Sequence, residues 1–329
     1  MARILVPGGA GFIGSHTVLA LSEAGHDIIV YDDLSNGHAD SVLAGTFIEG
    51  SILDSAKLDV LFKEQAIDAV IHFAAFIEAG ESVKSPMTFY KNNVAGSLTL
   101  LQAMAKHNVR NIVFSSTAAV YGQRDDLDLL SEEITKQPIN PYGHSKWMVE
   151  CMLRDMATTG AINAIALRYF NAAGSDPEGR IGERHEPETH LIPLILDAAR
   201  GKRPNIKIFG TDYATPDGTC IRDYIHVVDL ARAHVRAVEL LLERPSKTGS
   251  YDAMNLGTSQ GYSVREVIDA AKQVTGIDFE VIEEGRRPGD PGKLVADASK
   301  VAADLNWQAE RSDLRTLLED TWAFRRNLD

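Results

Sequence analysis

The chain has 329 residues, 44% of them apolar, a formal net charge of -13 and only two cysteines, Cys151 and Cys220. A chain of this length buries its core without disulfide staples, its apolar runs are too short to cross a bilayer, and its acidity argues against nucleic acid or an anionic membrane as partner. With no Cys/His metal spacing and no leader-like N-terminus, the expectation is a metal-free cytoplasmic protein of two lobes.

Residues 3–6 form a short apolar strand that runs into Pro7-Gly8-Gly9-Ala10-Gly11-Phe12-Ile13-Gly14, followed by helical periodicity over 15–24. Strand, glycine turn and helix in this order make a dinucleotide fingerprint: glycines let the backbone approach a pyrophosphate, and the helix start offers it unpaired amides. A second buried strand over 28–32 ends in Asp32. A carboxylate there accepts both adenosine ribose hydroxyls and repels a 2′-phosphate, so NAD is expected over NADP. A helix over 57–65, a strand over 69–72, a long helix over 87–107 and a strand over 111–114 continue the alternation. The fold class predicted is α/β, a Rossmann-type doubly wound parallel sheet. His72 reads as a core residue, and Asn93 as a polar helix residue able to bond a neighbouring loop.

Ser115, Ser116 and Thr117 fall just past the carboxyl end of a strand, the edge where open parallel sheets hold ligands. Thr117 is therefore placed to bond a reacting oxygen. Asn140 and Pro141 read as the cap and first turn of a helix, on which Tyr142 and Lys146, four apart, share a face. The ammonium and the positive helix end are expected to lower the phenol from its ordinary pKa of about 10 and make Tyr142 a base. A strand over 164–168 leads to Tyr169-Phe170-Asn171, and a Gly/Pro/acid-rich loop over 175–190 opens the second lobe. The division expected is 1–174 for the dinucleotide domain and 175–329 for a smaller substrate lobe, with part of 220–245 returning to the first. Arg222, Arg286 and Arg287 are candidate anion contacts, since guanidinium forks suit a diphosphate.

Residues 8–17, Asn140-Pro141-Tyr142, Arg168-Tyr169-Phe170-Asn171, residues 218–226, and Asp290 with residues 295–300 together resemble the extended short-chain dehydrogenase/reductase family, in the branch that epimerises UDP-hexoses at carbon 4. The resemblance runs almost end to end. It implies NAD as cofactor, a UDP-sugar as substrate, a homodimer, and transient oxidation at the sugar 4-position. It assigns Tyr142 as base, Lys146 to the nicotinamide ribose and Thr117 to the sugar 4-oxygen. Carried over residue by residue, the cofactor contacts are Gly8, Gly11, Phe12, Ile13, Gly14, Asp32, Asn36, Ser51, Ile52, Phe73, Ala74, Ala75, Asn93 and Phe170. Those to the UDP-sugar are Asn171, His190, Leu191, Phe209, Arg222, Tyr224, Arg287, Asp290 and Leu294. Leu294 stands where the family places a Tyr in members restricted to glucose and galactose, or a small Cys or Ser in members that accept N-acetyl sugars.

Departures from the family pattern are Pro7 for a Thr, Ser51 for an acid, Ile77 for a Lys and His190 for an Asn. Ala118-Ala119 occupies the place of the Asp-Glu pair that a sugar-nucleotide 4,6-dehydratase needs to eliminate water, which argues against that reaction. Two alternatives are another NDP-sugar 4-epimerase, acting on a uronate or pentose, and a non-catalytic NAD-sensing protein on the same fold. The intact Tyr142, Lys146 and Thr117 argue against the second.

Overall fold

The computed structural model describes residues 1–124, 127–244, 248–287 and 290–328. Strands β1 (Arg3–Pro7), β2 (Asp27–Asp32), β3 (Thr46–Glu49), β4 (Ala69–His72), β5 (Asn111–Thr117), β6 (Asn163–Tyr169) and Ser250–Leu256 form one seven-stranded sheet. Its order is Ser250–Leu256, β6, β5, β4, β1, β2, β3, and every pairing is parallel. The strands read as continuous apolar runs because helices cover both faces. Val18 and Leu21 of α1 (Phe12–Glu23) pack with Leu230 and Val238 of helix Val227–Glu243 on one face. Leu58 of α2 (Ser55–Glu64), Leu100, Met104 and Leu153 cover the other. Ser250–Leu256, beyond the stretch 220–245, also joins the large sheet by pairing with β6 along its whole length. The second lobe has its own core, built around Ile195, Ile206, Val267 and Leu317.

The helix expected over 87–107 is not one regular rod. Helix Pro86–Phe89 runs into a widened π turn, Tyr90–Ala95, before Gly96–Lys106 resumes α geometry. Such a turn re-aims the side chains it carries. Asn93 sits in it and is buried, accepting from Phe76 N at 2.9 Å and donating to Phe76 O and Ser145 Oγ, each at 3.0 Å. It thereby ties the segment after β4 to helix Pro141–Thr158.

A buried ion pair ties that same helix to β6. Arg168 and Glu150 are 2% and 0% exposed, with Nε to Oε1 at 3.0 Å and Nη2 to Oε2 at 2.5 Å. Ser116 Oγ (2.5 Å) and Tyr251 Oη (2.7 Å) donate to the same carboxylate, and Arg168 Nη1 donates to Tyr121 Oη at 3.0 Å. Every charged atom of the pair has a partner, the condition under which a buried pair is tolerated.

Candidate active site

The glycine turn is tight because two of its glycines leave no room for a side chain. A Cβ on Gly14 would lie 2.2 Å from Gly8 O, and one on Gly8, whose φ is +81°, would lie 2.3 Å from Ala74 N. Gly11 caps α1 without a side-chain acceptor, so the first amides of the helix are not claimed by a cap. Pro7 lacks an N–H, but its carbonyl accepts from Phe73 N (2.8 Å) and Ala74 N (2.9 Å), while Gly8 N donates to Tyr31 O at 2.9 Å. The missing hydroxyl and donor thus leave the turn anchored on both neighbouring strands. At the end of β2, Asp32 is 8% exposed and accepts from Ala10 N (3.0 Å) and Leu34 N (2.8 Å). Burial raises its pKa, and those two amides oppose the rise.

Across the cleft, helix Pro141–Thr158 starts where its sequence says it should. Asn140 Oδ1 accepts from Gly143 N at 2.8 Å and proline takes the first turn. Tyr142, Lys146 and Thr117 all face the cleft, together with Ser115 and Tyr169. Lys146 Nζ donates to Ser115 O at 2.9 Å, and the hydroxyls of Ser115 and Tyr169 bond each other.

The electrostatics differ from the expectation. Burial pushes the Tyr142 phenol up to about 12, with a hydrogen bond to Thr117 opposing and Glu78 adding to the rise. Burial also pushes the Lys146 ammonium down to about 7, against the pull of Glu150. Burial is the largest cause of this shift, and neither Lys146 nor the helix start is among its causes, so the lowering expected of them does not appear in the cofactor-free protein.

Of the residues assigned to the cofactor, Gly8, Gly11, Phe12, Ile13, Gly14, Asp32, Asn36, Ile52, Phe73, Ala74, Ala75, Tyr142, Lys146 and Phe170 line this one cleft. Asn93 and Ser51 do not. Asn93 is spent on the backbone of Phe76, and Ser51 gives its carbonyl to Tyr31 Oη at 3.0 Å. Of the residues assigned to the UDP-sugar, Asn171, His190, Leu191 and Tyr224 line the same cleft. Arg222, Asp290, Arg287, Phe209 and Leu294 form a separate group outside its lining. Arg222 pairs with Asp290, Arg287 stacks 3.7 Å over the Phe209 ring, and Leu294 lies opposite Arg222 in register. Pro288 and Gly289, between the paired arginines and Asp290, lie outside the described residues.

The cleft also takes Ser115, Phe76, Asn92, Tyr169 and His185, which the sequence reading did not assign to the site. Ser115 was findable, since it stands two before Thr117 on the same strand face. Tyr169 was not, because it is register that sets it opposite Thr117.

These features combine an NAD-shaped cradle, a carboxylate at the ribose position, and a Tyr/Lys/Thr trio. Residues 4–257 match the NAD dependent epimerase/dehydratase family. The chain belongs to that family. It is 50% identical to the UDP-glucose 4-epimerase of Rhizobium meliloti (strain 1021) over 327 residues, 99% of this chain and 98% of the relative. Among solved structures it is similar to UDP-glucose 4-epimerase from Brucella ovis in complex with NAD, with TM-score 0.93, 46% identity and 98% and 99% of the two chains covered. It is similar also to the enzyme from Bifidobacterium longum in complex with NAD+ and UDP, with TM-score 0.92, 37% identity and 99% and 98% covered. Membership accounts for the glycine cradle, which fits a pyrophosphate where any side chain would block it.

Proposed function

We infer that this chain is an NAD-dependent UDP-hexose 4-epimerase, interconverting UDP-galactose and UDP-glucose through a transient 4-keto sugar. The observation that carries the reading is the convergence of Thr117, Tyr142 and Lys146 on the cleft that also holds the glycine cradle and Asp32. Bound NAD would supply a reversible hydride acceptor at the sugar C4, and its cationic ring would favour the Tyr142 phenolate. Tyr142 Oη takes the proton of the 4-hydroxyl and later gives it back, so no net oxidation occurs. Thr117 orients the 4-oxygen, and Lys146, held by Ser115 O, bonds the nicotinamide ribose. Arg222, Arg287 and Asp290, beside the cleft, would hold the UDP part while the sugar turns over next to Tyr142 and Thr117. Incubation with UDP-galactose tests the activity, and the absence of any UDP-glucose would reject it.

Asp32 sets cofactor choice in this account. Both its oxygens already accept a backbone N–H, which fixes the carboxylate at the end of β2. Protein freed of cofactor is expected to bind NADP at least about tenfold more weakly than NAD, roughly 1.4 kcal/mol. Calorimetric titration of both nucleotides checks this, and equal affinities would contradict it.

Leu294 gates the sugar 2-substituent. It is half-buried and packs against the cluster of Ala118, Val120, Tyr121 and Leu130, as does Phe170, a residue of the cleft wall. Leucine is smaller than the ring of a tyrosine, and overpacking costs about 1–3 kcal/mol. We therefore expect good activity on UDP-galactose and UDP-glucose and weaker, measurable activity on UDP-N-acetylglucosamine. Leu294→Tyr removes the latter and Leu294→Ser raises it, relative to UDP-galactose. A ratio unmoved by both substitutions would place the gate elsewhere.

No described helix is long and apolar enough to cross a membrane. We place the protein in the cytoplasm, where two free thiols persist, a placement that cell fractionation checks. Exposed Met87 and Leu98, and Met148 on the adjoining helix Pro141–Thr158, support a homodimer formed through these helices. Sedimentation of wild type against Met148→Lys measures it, and a monomeric wild type would refute it.

A further inference from the structure

Beyond the epimerase reading, the loop between the two lobes carries a second chemistry. Glu183, His185, Glu188 and His190 repeat a Glu-x-His spacing twice within eight residues, and one ligand atom from each lies within 4.8 Å of all the others. We propose that these four side chains bind one divalent cation of the zinc type.

The distances suit such an ion. Zinc bonds of about 2.0–2.1 Å in tetrahedral array set neighbouring ligand atoms roughly 3.3 Å apart. His185 Nδ1 lies 3.3 Å from Glu183 Oε1 and 3.6 Å from Glu188 Oε1, while His190 Nδ1 is hydrogen-bonded to the same Glu183 oxygen, a contact that must open for the ion to take its place. Two imidazoles with two carboxylates suit Zn2+ better than Mg2+ or Ca2+, which prefer oxygen ligands throughout.

Glu188 supplies an independent sign. Its side chain is 8% exposed, and its Oε2 accepts no hydrogen bond among the described residues, with the Arg325 guanidinium at 3.6 Å. Glu183 is 1% exposed, so the cluster brings two carboxylates into a poorly solvated place. One divalent cation neutralises both.

The loop is also built in advance of any ion. Arg184 pairs with Asp40 and its carbonyl meets His38 Nε2 at 3.1 Å, fastening one side to the segment after Asp32. Arg325 donates to Glu183 O at 3.1 Å and to Asp197 at 2.7 Å, fastening the other. Such outer partners hold ligands in place.

The ion would bear on the cleft. A metal on His190 Nδ1 requires the ring proton on Nε2, so the imidazole offers an N–H donor from the cleft wall. An oxyanion of a nucleoside diphosphate is the group that donor recognises.

The test is Co2+ titration of the NAD-containing protein after chelator dialysis, followed by visible absorption and by Zn2+ competition, without substrate. The expected result is one Co2+ per chain with the intense spectrum of a four-coordinate ion, displaced by Zn2+. Glu183→Gln and His185→Gln each weaken binding by more than the roughly 10–100-fold that loss of an outer-shell partner costs. Circular dichroism checks folding, and if the buried Glu183 variant does not fold, the His185 variant decides. No stoichiometric Co2+ binding, or binding unchanged in His185→Gln, would overturn the site.

Discussion

Tyr142→Phe lowers turnover by about 10²–10⁴, the range that loss of a general base produces, while the fold and the bound NAD survive. The phenyl ring fills the same place on the cleft wall, so the change removes one oxygen and the hydrogen bond to Thr117. Burial pushes the phenol of the cofactor-free protein up to about 12, the cationic ring of bound NAD acts against that rise, and the ionised fraction grows as pH rises toward the resulting value. Wild-type kcat/KM therefore climbs from neutral toward alkaline pH, and the variant's residual rate lacks that climb. Steady-state kinetics across pH, with cofactor content measured on the same preparations, check both parts. A variant with near wild-type turnover would remove Tyr142 from the mechanism.

Arg168→Met costs about 3–5 kcal/mol of stability, because it leaves the Glu150 carboxylate buried without its counter-charge. Ser116 and Tyr251 still donate to that carboxylate, but neither carries charge. The double variant Glu150→Leu with Arg168→Met recovers much of the loss, since breaking a buried pair is worse than replacing it. Denaturant midpoints for both variants at saturating NAD settle this, the cofactor level being fixed because ligand binding itself raises stability. A single variant within 1 kcal/mol of wild type, on the order of a surface substitution, would contradict the account.

Much of this architecture was legible beforehand, and the reasons are local. The apolar runs of β1, β2 and β4 carry their own signature, as do Asn140 and Pro141 at the start of the catalytic helix. Glycine spacing announced the cradle, because only the absence of a Cβ permits Gly8 and Gly14 to sit where they do. What escaped depends on neighbours far along the chain. The sign of the Tyr142 shift follows from the desolvation that its neighbours impose, and no spacing of Tyr to Lys reports that. The partnership of Glu150 with Arg168 joins a helix to a strand whose register the sequence does not display. The π turn at Tyr90–Ala95 hid for a different reason, since widening a helix by one residue leaves its composition unchanged. The Glu/His pattern of the interlobe loop contains no cysteine, so the absence of Cys/His metal spacing did not bear on it.

The most direct measurement is proton NMR of UDP-galactose incubated with the NAD-containing protein in D2O. The account predicts that UDP-glucose appears with protium retained at C4, because the hydrogen removed there is held within the site and returned. Absence of UDP-glucose, or deuterium at C4 of the product, would contradict it.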